Sequence, residues 1–444
     1  MSSIKHDLTN NPTLDALAIN GGTPVRTTPL PWELPGAHFI GAEERALVDQ
    51  VVDAKSPFRF YGLDAQHMVD RLEAEWCRKF GHAHALGVNC GTAALHIALA
   101  AGEVGPGDEV LVPGYMWVSC LSAIVRLGAI PRLVDIDNTF CMDPADMRRK
   151  IGPQTRAVLF VNMSGAMGRN AEIAAIAREH GLFMVEDCAQ AAGGSLHGRA
   201  AGSFGDIGIF SFQLNKNMTS GEGGLLVTES EHLYKRCMAV HDLGFARNKH
   251  GRLDPMDERY QLWGIGSRMS DLTGAMALAQ LGKLETITGN MRRAKWRIRD
   301  AIADLPGLGL REIPDPEGDT GPFLITIYDT PALCQRFTAA LQAEGVRGHP
   351  GSLACITMRD WGMHWYFNVP SLVHKRSLSH DGFPWTHPAN AFATDYSYQR
   401  GALPVCDDME SRAALLCISS ALTDEDVNDV IAAFRKVGAA LLTK

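Results

Sequence analysis

The stretch Ser211-Phe212-Gln213-Leu214-Asn215-Lys216-Asn217-Met218-Thr219-Ser220-Gly221-Glu222-Gly223-Gly224 decides how the chain reads. It places one amine between an apolar run, 207–212, and a turn rich in glycine. The run reads as a strand, so the lysine stands where a strand gives way to a tight turn. An amine held there can attack a carbonyl carbon and form a Schiff base, a use that lysine nucleophiles have with carbonyl compounds. A lone lysine in a glycine-rich turn is more often just solvated, so the reading depends on two elements upstream.

The first is Val185-Glu186-Asp187-Cys188-Ala189-Gln190, which follows the apolar run 181–185. It reads as a buried parallel strand ending in an acid. The carboxyl ends of such strands face the crevice where open α/β sheets bind ligands. Pyridoxal phosphate (PLP) needs a carboxylate against its ring nitrogen, because the protonated ring is its electron sink. Asp187 suits that role; a strand-end aspartate that merely caps a turn is the plainer alternative.

The second is Asn89-Cys90-Gly91-Thr92-Ala93-Ala94-Leu95-His96-Ile97-Ala98-Leu99. A short strand, 85–88, meets a glycine and a threonine, and an amphipathic helix begins. Backbone N–H groups at a helix N-terminus, with the helix dipole behind them, bind phosphate. Gly91 permits close approach of the backbone, and the Thr92 hydroxyl can cap the helix or touch the anion. Ser211 could add another phosphate contact.

Phosphate turn, acid and lysine follow one another in that order. With them the chain resembles the DegT/StrS family of sugar aminotransferases, which are fold type I PLP enzymes. The resemblance runs from about residue 18 to the C-terminal helix. It implies that Lys216 carries PLP as a Schiff base and shuttles the proton during transamination, through the pyridoxamine form (PMP). It implies that Asp187 keeps the ring nitrogen protonated and that Gly91, Thr92 and Ser211 hold the phosphate. Gln190 would lie beside the cofactor's phenolic oxygen. Trp117, in Tyr115-Met116-Trp117-Val118-Ser119, takes the family's ring-stacking position; a tryptophan at a helix start is otherwise usually core.

Some positions depart from the family. Where it carries Asn-Tyr-Arg, with the Asn on the phosphate of the neighbouring subunit, this chain reads Gly266-Ser267-Arg268. Ser267, a backbone N–H or water would replace the missing amide. Arg268 could steer a donor carboxylate or form an interface salt bridge. Asn162 and Ser164 stand where the family often shows His and Tyr, and Asn162 is a candidate substrate contact. The resemblance also implies a homodimer with shared active sites.

Composition is consistent with this. A chain of 444 residues carries a prior of about two to three domains. The balance of 42 basic against 50 acidic residues, a net charge of −8, argues against nucleic acid or an anionic membrane as partner. Ten cysteines without a CxxC pair or metal spacing read as reduced thiols of a cytoplasmic protein, with no metal site expected. The polar N-terminus lacks a signal-like apolar core, and no run approaches the ~20 apolar residues of a membrane span.

The expected organisation is an arm over 1–36, a large PLP-binding domain over 37–290 and a small C-terminal α/β domain over 291–444. Helices are expected at 41–54 and 65–80. Strands at 85–88, 109–112, 132–135, 157–161 and 182–185 alternate with helices at 117–127, 143–150 and 171–180. Strands at 207–212 and 224–227 close the series as a hairpin-like antiparallel element. This is an α/β fold with a mostly parallel central sheet covered by helices on both faces. Two helical stretches are expected between 271 and 305, and a last helix over 424–441. The aromatic segment 351–405 has little periodicity and reads as a long loop, either a substrate wall or a packed surface.

The arm sequence Leu17-Ala18-Ile19-Asn20-Gly21-Gly22-Thr23-Pro24-Val25-Arg26 resembles family members that aminate cyclitol ketones such as scyllo-inosose, often with glutamine as donor. The expected reaction moves an amino group from glutamine or glutamate to a keto-cyclitol or related polyhydroxylated cyclic ketone. The alternative acceptor is a nucleotide-linked keto-sugar. Dehydratases that resemble this chain replace the lysine by histidine, so Lys216 argues against dehydration. A non-catalytic binding protein on the same scaffold would be expected to lose the lysine, the acid or the phosphate turn.

Overall fold

A computed structural model describes residues 12–248 and 250–442. Its centre is a seven-stranded sheet of β1 (His84–Val88), β2 (Glu109–Pro113), β3 (Ile130–Val134), β4 (Thr155–Val161), β5 (Phe183–Asp187), β6 (Ile207–Ser211) and β7 (Gly224–Thr228), in the order β1-β7-β6-β5-β4-β2-β3. Neighbours from β6 to β3 are parallel, and β7 runs antiparallel to both β1 and β6. The expected α/β sheet is present, with its hairpin at β6–β7.

Period-2 alternation sends successive side chains to opposite faces. Val110, Val112, Leu159 and Ile209 pack with α3 (Gly91–Ala101) and α4 (Val118–Arg126) on one side. Leu111, Val158, Phe160 and Phe210 pack with Leu72 and Trp76 of α2 (Met68–Phe80) and Ile173 of α6 (Asn170–Glu179) on the other. Helix α5 (Pro144–Lys150) joins this second face, α1 (Ala42–Asp53) packs outside it, and α7 (Glu231–His241) packs with α3 on the first.

Beyond it lies a four-stranded antiparallel sheet of β8 (Leu308–Leu310), β9 (Phe323–Tyr328), β10 (Cys355–Thr357) and β11 (Ala413–Cys417), in the order β8-β9-β11-β10. Helices α9 (Pro331–Ala343), α10 (Pro404–Arg412) and α11 (Asp424–Leu441) pack around it. No helix among the described residues is long and apolar enough to cross a membrane.

Three expectations change. The two helical stretches after 271 are one helix, α8 (Asp271–Ile302), capped by Ser270. Its 32 residues span about 48 Å. Leu281 and Leu284 pack on the large sheet, whereas Met291, Ile298 and Ile302 pack on the small one, so a boundary at 290 falls mid-helix. Glycines at 282 and 289 cost helix propensity, but this packing on both sides outweighs them.

The second is the arm. Leu17 and Leu30 are buried in the small-sheet core, and Arg26 pairs with Asp426 at 2.9 Å and Asp429 at 3.1 Å. The arm is therefore a core element at these points. The third is the segment 351–405. It holds β10 and a string of short 3-10 turns, and Trp365, Tyr366 and Tyr398 are buried in the main core. Only part of it faces a cavity.

Candidate active site

Lys216 lies in the turn after β6. Its backbone N–H donates to Gln213 O at 2.9 Å, and its carbonyl accepts from Gly36 at 3.3 Å. Thr219 stiffens the turn: its hydroxyl donates to Phe212 O at 3.1 Å and accepts from Gly221 N–H at 2.9 Å. The Asn217 amide donates to Ala192 O at 3.0 Å. These residues position Lys216, and sequence reading did not single them out.

The lysine faces a cavity of about 670 Å³ that also receives Asp187, Gly91, Thr92, Trp117, Gln190 and Ser211. The site assembles because β5 and β6 are parallel neighbours with Asp187 paired to Ile209, so both strands deliver their carboxyl ends to one edge. Asp187 is buried; the Ala189 N–H donates to its Oδ1 at 2.9 Å and the Cys120 thiol to its Oδ2 at 3.2 Å. Burial raises its carboxyl above the usual range, opposed by those two donors and by Lys216. Burial also lowers the Lys216 ammonium below the ordinary lysine value, opposed by Asp187 and Cys120. A lysine shifted down is more often the free base that a nucleophile or proton acceptor must be.

The phosphate turn is a built cradle. Helix α3 is capped by Cys90, whose sulfur accepts from Ala93 N–H at 3.4 Å. The first N–H groups of the helix have no intrahelical acceptor and point to the cavity end. A Cβ on Gly91 would stand 2.8 Å from Ser211 Cβ, so only glycine lets the turn and β6 meet. Thr92 and Ser119 hydroxyls lie 2.8 Å apart, and Ser119 also lines the cavity. Gln190 accepts from Ser164 N–H at 2.7 Å, which fixes its amide. Trp117 caps α4, 40% exposed, with its ring 4.8 Å from that of His364.

Three candidate residues stand elsewhere. Ser267 does not line this chain's cavity; its N–H donates to His241 O at 2.7 Å and its carbonyl accepts from Asn89 at 3.0 Å. Arg268 is also outside, bonded to Asp242, which Arg247 binds as well. Asn162 is corrected as a substrate contact: fully buried, it donates to Glu186 Oε1 at 2.9 Å and accepts from Asn170 at 2.8 Å. Its amide holds Glu186, whose other oxygen accepts from Phe204 N–H at 2.7 Å. Sequence reading in turn left out Cys120, Trp361 and His364. Cys120, four residues after the Trp117-associated Met116, lay in a quoted motif's continuation; the other two lay in the aromatic segment.

Comparison with known proteins identifies the family. The model of the DegT/DnrJ/EryC1/StrS aminotransferase family matches residues 40–351. A relative from Streptoalloteichus tenebrarius, L-glutamine:2-deoxy-scyllo-inosose aminotransferase, is 33% identical over 95% of this chain and 97% of its own length. One of the same description from Micromonospora echinospora is 29% identical over the same shares. Among solved structures, S. venezuelae DesV, crystallised with a ketimine intermediate, superposes with a TM-score of 0.73 at 25% identity, over 93% of this chain and 99% of DesV. The fold, the lysine turn and the match over most of its length place this chain in the DegT/DnrJ/EryC1/StrS aminotransferase family.

Proposed function

We propose that this aminotransferase uses PLP, takes its amino group from glutamine or glutamate, and delivers it to a keto-cyclitol or related polyhydroxylated cyclic ketone. The observation that carries the reading is one cavity holding Lys216, Asp187 and the glycine-lined start of α3 together. The residues fit the cofactor. A buried acid whose nearby cation is Lys216 suits a protonated ring nitrogen, and a Cβ at Gly91 would close the cradle that suits a phosphate. When bound, PLP supplies the electron sink that lets the C–H bond of an amino-bearing carbon break.

The chain's own groups do the rest. Lys216 Nζ would take the proton from the donor's Cα and pass it on within that half of the cycle, and in the ketone half would deliver a proton to the acceptor carbon that gains the amine, as a positioned general base and acid. The Asp187 carboxylate holds the proton on the ring nitrogen. The N–H groups opening α3, with the Thr92 and Ser211 hydroxyls, bind the phosphate. Trp117 covers a ring face.

Charge favours the cyclitol over a nucleotide-linked sugar. Among the described lining residues Lys216 is the only lysine or arginine, while Glu222 and Asp360 add negative charge. A diphosphate would meet those acids without a compensating guanidinium from this chain. The names of the two relatives point the same way. Exposed Leu243, Met256, Trp263 and Ile265 on the segment 243–265 support pairing with a second copy, whose cofactor Arg268 and the Gly266 turn would approach.

A donor and acceptor screen on the purified protein tests the proposal. Glutamine or glutamate with scyllo-inosose should give an aminocyclitol and a 2-oxo acid. Turnover of a nucleotide-linked keto-hexose but of no cyclitol ketone would sink the substrate assignment.

A further inference from the structure

The residues 360–364 contribute five consecutive side chains or backbones to the cavity wall. This wall is fastened, not loose. The Met116 N–H donates to His364 O at 2.9 Å and Tyr366 N–H to Gly114 O at 3.0 Å, with Tyr115 and Trp365 bridged between them. The Tyr115 and Trp365 rings stack 4.3 Å apart. The wall is thereby tied to the residues just before Trp117.

His364 sits inside this frame. Its ring stacks on Trp361, with centroids 4.4 Å apart and planes at 10°, and meets Trp117 at 4.8 Å. Its Nδ1 lies 2.7 Å from Trp361 O. A carbonyl only accepts, so Nδ1 carries the hydrogen, and in the neutral ring Nε2 is left with a lone pair. Burial lowers the imidazole to about 4, opposed by the Trp361 carbonyl and reinforced by Lys216. The ring is therefore neutral at pH 7. Among the described residues Nε2 has no hydrogen-bond partner, and His364 lines the same cavity as Lys216.

We infer that His364 is a specificity-determining residue whose Nε2 accepts a hydrogen bond from a ring hydroxyl of the keto acceptor. This rests on the function proposed above. A carboxylate of the amino donor would set lone pair against lone pair at Nε2, whereas a hydroxyl supplies the missing hydrogen. Between the aromatic faces of Trp361 and Trp117 the ring edge of His364 is polar; the other polar side chain of this wall, Asp360, already accepts from the Thr357 hydroxyl at 2.7 Å. The contact rejects ketones that lack the hydroxyl, because the desolvated acceptor is then left unpaired.

The test uses holoenzyme, scyllo-inosose and its singly deoxygenated analogues, with a nucleotide-linked keto-hexose and its deoxy analogues as a second arm. In the wild type, loss of one particular hydroxyl should lower kcat/KM by about tenfold. In His364→Phe that penalty should shrink below about twofold, while penalties at other positions persist. His364→Gln, whose amide oxygen accepts, should restore part of it. The ketone KM should rise more than that for glutamine. Unchanged penalties at every position, or a loss confined to glutamine, would overturn the assignment. A wild type active only on the keto-hexose refutes the cyclitol reading and leaves His364 to be judged on that arm; activity on neither ketone refutes both.

Discussion

The thiol of Cys120 donates to the carboxylate of Asp187 across 3.2 Å, linking helix α4 to the end of β5. Because Trp117 is the N-cap residue of α4, one contact couples the acid to the aromatic wall. Cys120→Ala removes a weak donor to a charged group, worth about 1 kcal/mol. Cofactor affinity should fall several-fold in Cys120→Ala and recover in Cys120→Ser, measured by equilibrium titration of PLP into the apoprotein. Equal affinity in all three proteins would show that the contact is only packing.

Lys216→Ala should remove the visible absorbance of lysine-bound cofactor and cut turnover by roughly a thousandfold or more. Asp187→Asn keeps the shape but not the charge. It should leave the unfolding midpoint near that of the wild type and slow proton transfer by about a hundredfold, followed by stopped-flow absorbance. A yellow, active Lys216→Ala protein would remove the chemical basis of the whole assignment.

Gly266 has φ +65° and open space where a Cβ would stand. Asparagine tolerates this left-handed region better than most residues. Gly266→Asn should therefore fold normally while adding the amide that the family carries at this position. Cofactor should be retained longer on dialysis. Retention equal to the wild type would mean that the phosphate already has its full set of donors.

His241 is fully buried, with Nδ1 donating to Met238 O at 2.7 Å and Nε2 unpartnered among the described residues. Burial, aided by Arg59, lowers its pKa to about 3. The folded value lies below the unfolded one, near 6.5, so the unfolded chain binds more protons between these limits. Stability should fall as pH drops from 6.5 toward 3, by up to about 1.4 kcal/mol per unit. His241→Gln should flatten this slope in denaturant unfolding at pH 7, 6 and 5. A slope unchanged in the variant would assign the acid sensitivity to other groups.

The sheet was legible in the sequence because its strands are unbroken apolar runs ending at chemically marked residues. Lys216, Asp187 and Gly91 could be found from such endings, since a parallel sheet brings them to one edge. What the sequence hid is long-range. Nothing local says that Asn162 turns inward to Glu186, or that Ser267 reaches His241 rather than the cavity. His364 escaped for the same reason: its neighbours are Trp117, 247 positions away, and a wall fastened to Tyr115. The arm looked peripheral because its two anchoring leucines, Leu17 and Leu30, show no periodicity of their own.

Helix α8 is an unbroken, proline-free rod whose first half is embedded under one sheet and whose second half is embedded under the other. Such a beam transmits tilt and resists folding at its middle. A helix-breaking substitution at the middle of the rod would therefore loosen both cores together rather than one of them.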